Sequence, residues 1–204
     1  MDYVMTLFQK YILVAIIGLT FIACGGQGGA DHQTQTERAA DEHFNISDSL
    51  MLVPGQSAGA FRLGDSDRVV HRLLGNPDFS NAAMGKAVLM WYTDTDSSYP
   101  LSIFTSRDMG NDETARIKQI RITSPHFETQ ESIHVGAALS EISDAYAKPL
   151  RIVETYAGKG GMYSIYDTDE GIAFEVDADD RCIAIIIHEP HTGVTSYLPL
   201  RAIN

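Results

Sequence analysis

One segment of this chain occurs twice, and it constrains the fold more than any other feature. Phe61-Arg62-Leu63-Gly64-Asp65-Ser66-Asp67-Arg68-Val69-Val70-His71-Arg72-Leu73-Leu74-Gly75-Asn76-Pro77 recurs as Ile133-His134-Val135-Gly136-Ala137-Ala138-Leu139-Ser140-Glu141-Ile142-Ser143-Asp144-Ala145-Tyr146-Ala147-Lys148-Pro149, at an offset of 136 − 64 = 72 residues. Each copy reads as a short strand, a glycine, a two-turn helix and a proline stop. In the first copy Asp65 or Ser66 can accept hydrogen bonds from the free N–H groups of the first helical turn. Val69, Val70, Leu73 and Leu74 form a stripe suited to burial. Gly75 suits the left-handed position after a helix, and Pro77 prevents continuation. Any fold for this chain must therefore offer two apolar surfaces on which short helices can lie.

The residues that follow each copy supply such surfaces. Residues 87–92 read as a strand with Ala87, Leu89 and Trp91 on one face and Val88, Met90 and Tyr92 on the other. A polar turn at 94–98 leads to a strand at 101–105. A long acidic loop is expected at 106–114, and a closing strand at 117–123. In the second half, strands are expected at 162–166, 172–176 and 182–188, joined by the acidic turns 167–171 and 177–181. Residues 122–126 align with 187–191 at an offset of 65, and the lost residues fall in a hairpin loop, where length changes are tolerated. The fold class expected is α+β: two tandem repeats, 49–127 and 128–204, each a short helix or helical hairpin packed on an antiparallel β-meander.

The first 48 residues have a different character. Residues 7–23 are mostly Leu, Ile, Val, Ala and Phe, with Lys10 ahead of the densest run. That run, 11–23, falls short of the ~20 residues needed to cross a bilayer comfortably, and it matches a signal-peptide core. Translation is open to a start at Met1 or at Met5, because Asp2 disturbs the basic start of such a leader. Phe21-Ile22-Ala23-Cys24-Gly25-Gly26 resembles a bacterial lipobox, which implies cleavage after residue 23 and a lipid on Cys24. Residues 24–48 are polar and glycine-containing, so they read as a flexible tether. Its root-mean-square reach is roughly 25–30 Å.

Charge excludes some functions. The formal net charge is −12, and removing Asp2 and Lys10 with the leader leaves it unchanged. Nucleic-acid binding needs basic patches to neutralise phosphate, and anionic lipid attracts polybasic segments. Neither is expected here. With Cys24 lipidated, Cys182 has no partner for an internal disulfide.

Four local motifs imitate catalytic or metal sites. Gly55-Gln56-Ser57-Ala58-Gly59 matches the G-x-S-x-G nucleophile elbow, which needs a helix directly after it. Here residues 60–63 alternate like a strand, so Ser57 reads as a turn residue. Residues 167–171 open like a calcium loop, but position 178 is alanine where the twelfth ligand belongs. His188 and His191 are separated by Glu189 and Pro190 at a strand end, poorly placed for zinc. Cys182 begins an apolar strand and reads as a small buried residue. No cofactor or metal is expected.

Taken together, the lipobox, the tether, the pattern Leu-Gly-x-Ser-x-x-x-Val-x-x-x-Leu-Gly-x-Pro and a meander ending near Trp91-Tyr92 resemble the SmpA/OmlA (BamE-like) lipoproteins. Two such units in tandem resemble the β-lactamase inhibitor protein (BLIP) architecture. The second copy departs from the pattern, with Ala138 in place of Ser66 and Ala147 in place of Gly75. The resemblance implies a non-enzymatic scaffold or protein-binding module, lipid-anchored in the cell envelope. Its expected location is the outer membrane, facing the periplasm or the cell surface. Two alternatives stay open: a serine hydrolase using Ser57 with His188 and an Asp, and a purely structural lipoprotein. The partner surface is expected on the sheet face turned away from the helices. Ile165, Phe174, Ile183, Ile185, Ile187 and Trp91 are expected to point inward. Met90, Tyr92, Arg121, Met162, Tyr166 and His188 are expected to point outward as partner-binding candidates.

Overall fold

The computed structural model describes residues 50–93, 96–146, 149–158 and 160–194. Cys24, the leader and the tether lie outside them. Within them run, in chain order, β1 (Met51–Val53), β2 (Ser57–Ala58), β3 (Phe61–Arg62), α1 (Asp67–Leu74), β4 (Phe79–Ala83), β5 (Lys86–Thr93), β6 (Asp96–Asp108), β7 (Asp112–Ile122), β8 (Glu128–Thr129), α2 (Leu139–Ala145), β9 (Arg151–Gly158), β10 (Gly161–Asp167), β11 (Ile172–Val176) and β12 (Cys182–His188). The strands form a small sheet, β3-β2-β1-β8, and a large one, β4-β5-β6-β7-β12-β11-β10-β9. Neighbours in the large sheet are all antiparallel; in the small sheet β1 and β8 are parallel.

This architecture corrects the α+β expectation and the resemblance to tandem SmpA/OmlA or BLIP-like units. The protein is mostly β. Its two described helices have 8 and 7 residues, too little to form a layer of their own. The strands of the two halves do not form separate meanders. β7 pairs with β12 through Ile122↔Ile185 and Ile120↔Ile187, and one sheet runs across both halves. The isoleucines are buried at this seam, at 3% exposure or less, so the halves share one core.

The sheet has two faces with different cover. On the first face, Leu89, Trp91, Ile103, Ile117, Ile120, Ile122, Phe174, Ile185 and Ile187 pack with Val70 of α1, Ile142 of α2, and Leu52, Ala58 and Phe61 of the small sheet. Both helices thus work as stoppers on a layer that the small sheet completes. Ser66 caps α1, its Oγ accepting from Arg68 N–H at 3.3 Å. Gly75, at φ +78, ends it, and Trp91 Nε1 donates to the Gly75 carbonyl at 3.2 Å. Ala138 has no hydroxyl to cap α2, but its own N–H donates to the Glu141 carboxylate at 2.6 Å. An arginine ties each segment to the large sheet: Arg116 donates to Gly64 O at 3.3 Å and Arg181 to Gly136 O at 3.2 Å.

Three local expectations change. Residues 106–114 are not a long loop: β6 and β7 extend into them, and Asn111 N–H donates to Asp108 O at 2.9 Å across a tight hairpin. His71 is not merely solvated, since its ring stands edge-on to Trp91 with centroids 5.8 Å apart. The inward set is also partly reassigned. Tyr166 pairs with Phe174 and shares its core face, whereas Ile165 pairs with Glu175 on the other face. Ile183 is the extra residue of a bulge, which lets Cys182 and Ile185 both face the core.

Candidate functional site

The second face of the large sheet concentrates the chemistry. Cross-strand pairing lays out one transverse row, Phe79–Met90–Ser102–Arg121–Ile186–Ala173–Asp167. A second row runs Asn81–Val88–Phe104–Gln119–His188. Two apolar clusters sit at either side: Val88, Met90 and Phe104 with Phe79 and Tyr92, and Ile165, Ala173 and Ile186 with Tyr156 and Val194. Between them lies a polar strip of Ser102, Gln119, Arg121, Asp167, Glu175 and His188, each at 5% exposure or less.

Buried polar groups persist only with partners, and the strip provides most of them. Arg121 Nε donates to Glu175 Oε2 at 2.8 Å. His188 uses both ring nitrogens: Nδ1 lies 2.9 Å from Glu189 O and Nε2 2.9 Å from Asp167 Oδ1. Both ring nitrogens therefore face an oxygen, and the two contacts fix the plane of the imidazole. Gln119 Nε2 donates to Gly193 O at 3.5 Å. Arg121 Nη1, Glu175 Oε1 and Gln119 Oε1 are buried with no hydrogen-bond partner among the described residues.

The sequence candidates distribute as follows. Met90, Arg121 and His188 share the second face and are buried at 1%, 5% and 1% exposure; Tyr92 is half-buried against the Met90 cluster. None of the three is exposed in the structure. Their neighbours remove them from solvent: Arg121 by its ion pair, His188 by Asp167, Met90 by apolar packing. Tyr166 packs against the core, as the cross-strand partner of Phe174, rather than facing outward. Met162 does not share the second face either, because β10 alternates the other way, but it is 52% exposed. Glu175 and Asp167 were missed. The available signal for Glu175 was a lone glutamate inside the apolar strand Ile172–Val176, with Arg121 set between Ile120 and Ile122 of β7 as a possible counter-charge.

The catalytic look-alikes have structural explanations. Ser57 lies on β2, paired to Val53 and to Arg62 on either side, and a strand follows it instead of a helix. His188 has no free nitrogen to take a serine proton. Burial pushes the Cys182 thiol from 9.0 up to about 12, so it holds its proton at neutral pH. Gly171, at φ +89, brings the β10–β11 turn against the small sheet. Its carbonyl accepts from Gly55 N–H and from His188 N–H, both at 3.0 Å, and an added Cβ would overlap His188 O.

No protein-family model and no curated protein matches its sequence. Among solved structures, a cysteine-rich secretory protein of Staphylococcus aureus aligns at a TM-score of 0.42 and 14% identity, over 70% of this chain and 50% of that one. An extracellular protein containing an SCP domain from Bacillus anthracis aligns at 0.39 and 8%, over 83% and 50%. The uncharacterized protein YfeY of Escherichia coli aligns at 0.32 and 11%, over 69% and 99%. The alignments span about half the length of the first two proteins. None of the three is described as an SmpA/OmlA protein or a β-lactamase inhibitor protein. No score reaches 0.5, so none assigns a fold family or a function.

Proposed function

We propose that this protein is a non-enzymatic, lipid-anchored module of the bacterial cell envelope that binds a protein partner. Its place is the outer membrane, facing the periplasm or the cell surface. The anchor reading rests on the Phe21-Ile22-Ala23-Cys24 sequence behind an apolar run. The binding reading is carried by one structural observation: apolar side chains stand exposed on the edge hairpin of the large sheet. Ile152 is 58% exposed, Val153 45% and Met162 52%, on β9 and β10. Three large apolar groups left in solvent on one hairpin are a natural contact area, and β9 has a hydrogen-bonding edge to offer beside them.

Each half of this reading has its own test. Cys24→Ser should move the protein from the membrane fraction to the soluble fraction and abolish its acyl mass. Equal membrane association of that variant would defeat the anchor. Ile152→Ser combined with Met162→Ser should leave the fold and anchor intact while weakening partner capture. Undiminished capture would place the contact elsewhere.

A further inference from the structure

The edge hairpin leaves Ile152, Val153 and Met162 in solvent, and an acidic turn stands at each of its ends. At one end Arg151 Nη2 donates to Asp169 Oδ1 at 2.8 Å, which sets the 167–171 turn beside the start of β9. At the other end a Cβ added to Gly161 would lie 3.7 Å from Ala178 Cβ, so the 177–181 turn lies against the hairpin where β10 begins. The Asp177 carboxylate is folded into that turn, accepting from the N–H groups of Asp179 and Arg181. Asp179 and Asp180 stand exposed beyond it. Charge is lopsided along the chain as well. Residues 149–194 hold nine acidic and three basic residues, a net −6; residues 50–148, a segment twice as long, hold twelve and nine, a net −3. We infer that the occupant of the edge hairpin is an extended segment of a protein partner, with an apolar centre and basic ends. This rests on the reading of the hairpin as the contact surface and adds the chemistry of what it contacts.

Register sets the spacing. Ile152 lies opposite Tyr166, and Met162 is four residues before Tyr166 on β10, so Ile152 and Met162 emerge on the same face. Four residues of strand separate them by about 13 Å along the hairpin. The acidic turns lie just outside, at the two ends of the five-residue β11. A matching segment therefore carries apolar side chains at positions i and i+4, with cations immediately beyond them. A helix would bring i and i+4 within about 6 Å along its axis, too close to reach both contacts. Positive ends facing the acidic turns also speed encounter and reject acidic segments.

Two synthetic peptides on the full Cys24→Ser chain test it. Each is nine residues long, with five alternating valines and threonines at the centre; one has two lysines at each end, the other two glutamates. Binding is read by fluorescence anisotropy, and the contact is mapped by amide exchange. The lysine peptide is expected to bind roughly tenfold more tightly at low ionic strength, with protection on β9 and β10. That advantage should shrink severalfold in ~1 M salt. Asp179→Asn with Asp180→Asn should shrink it too, and asparagine tolerates the positive φ of Asp180, +57. Ile152→Ser with Met162→Ser should weaken both peptides alike. Equal binding of the two peptides on β9 and β10 would keep the hairpin as a contact surface and overturn the inference. Binding of neither, or protection confined to other strands, would overturn both.

Discussion

Arg121 and Glu175 face each other at 6% and 2% side-chain exposure, with one hydrogen bond of 2.8 Å between them. Such a pair gains little over an apolar replacement, but losing one member leaves a buried charge alone. Arg121→Ala should therefore lower unfolding stability by about 3–5 kcal/mol. Arg121→Met with Glu175→Leu should recover most of that loss, as measured by urea denaturation. A double variant as costly as the two single variants summed would show that the charges are not coupled. Cys182 gives a second prediction. Its thiol pKa is raised from 9.0 in the unfolded chain to about 12 by burial. The unfolded state therefore gives up this proton first, so the contribution is complete below pH 9 and is lost as pH rises toward 12. Burial raises the Tyr146 phenol from 10.0 to about 12, with the same sign. Stability should fall over that alkaline window, and Cys182→Ala should make the fall shallower. Iodoacetamide should label Cys182 only after unfolding. At this scale the sequence showed a buried cysteine and an arginine among isoleucines. It did not show that Glu175 meets Arg121, because the two are 54 positions apart and their pairing depends on which strands become neighbours.

Strands with an apolar face were legible, and edge strands were not. β5, β7, β11 and β12 carry alternating or continuous apolar residues. β4 is Phe-Ser-Asn-Ala-Ala and β9 is Arg-Ile-Val-Glu-Thr-Tyr-Ala-Gly, both largely exposed, so neither has a burial pattern to announce it. Their hydrogen bonds to β5 and β10 define them, and those are tertiary. Bulges hid the rest. Val153 is unopposed in β9, Lys118 in β7 and Ile183 in β12, and each extra residue inverts the facing of everything beyond it. Hydrophobicity grouped Ile165 with Phe174; pairing instead sets Tyr166 beside Phe174. Tyr166→Ala should then behave as a core truncation, costing about 3 kcal/mol. Tyr92→Ala, on the margin of its smaller cluster, should cost clearly less. Equal losses in thermal or urea unfolding would return the two tyrosines to equivalent roles.

At the scale of the whole molecule, the two halves are held as one body by the β7–β12 seam and by a core that both helices and the small sheet close from one side. The recurring Gly-helix segment correctly indicated two short helices over strands. It could not indicate that the strands would join across the halves, since a repeated local pattern is equally compatible with two sheets or one. The candidate site was legible only in part. Met90, Arg121 and His188 were picked out as outward-facing partner-binding candidates, but their burial depends on cover that a strand pattern does not encode. Among the large apolar side chains left exposed are Ile152, Val153 and Met162 of the edge hairpin, and the central claim is that an anchored module works through them. Site-specific photo-crosslinking in intact cells tests this most directly. The crosslinker is placed at Met162 and, for comparison, at Met84, which is 84% exposed at the β4–β5 turn. The account expects a discrete protein adduct from position 162, absent from position 84 and lost when Ile152→Ser is added. No adduct from 162, or the same adduct from both positions, would contradict it.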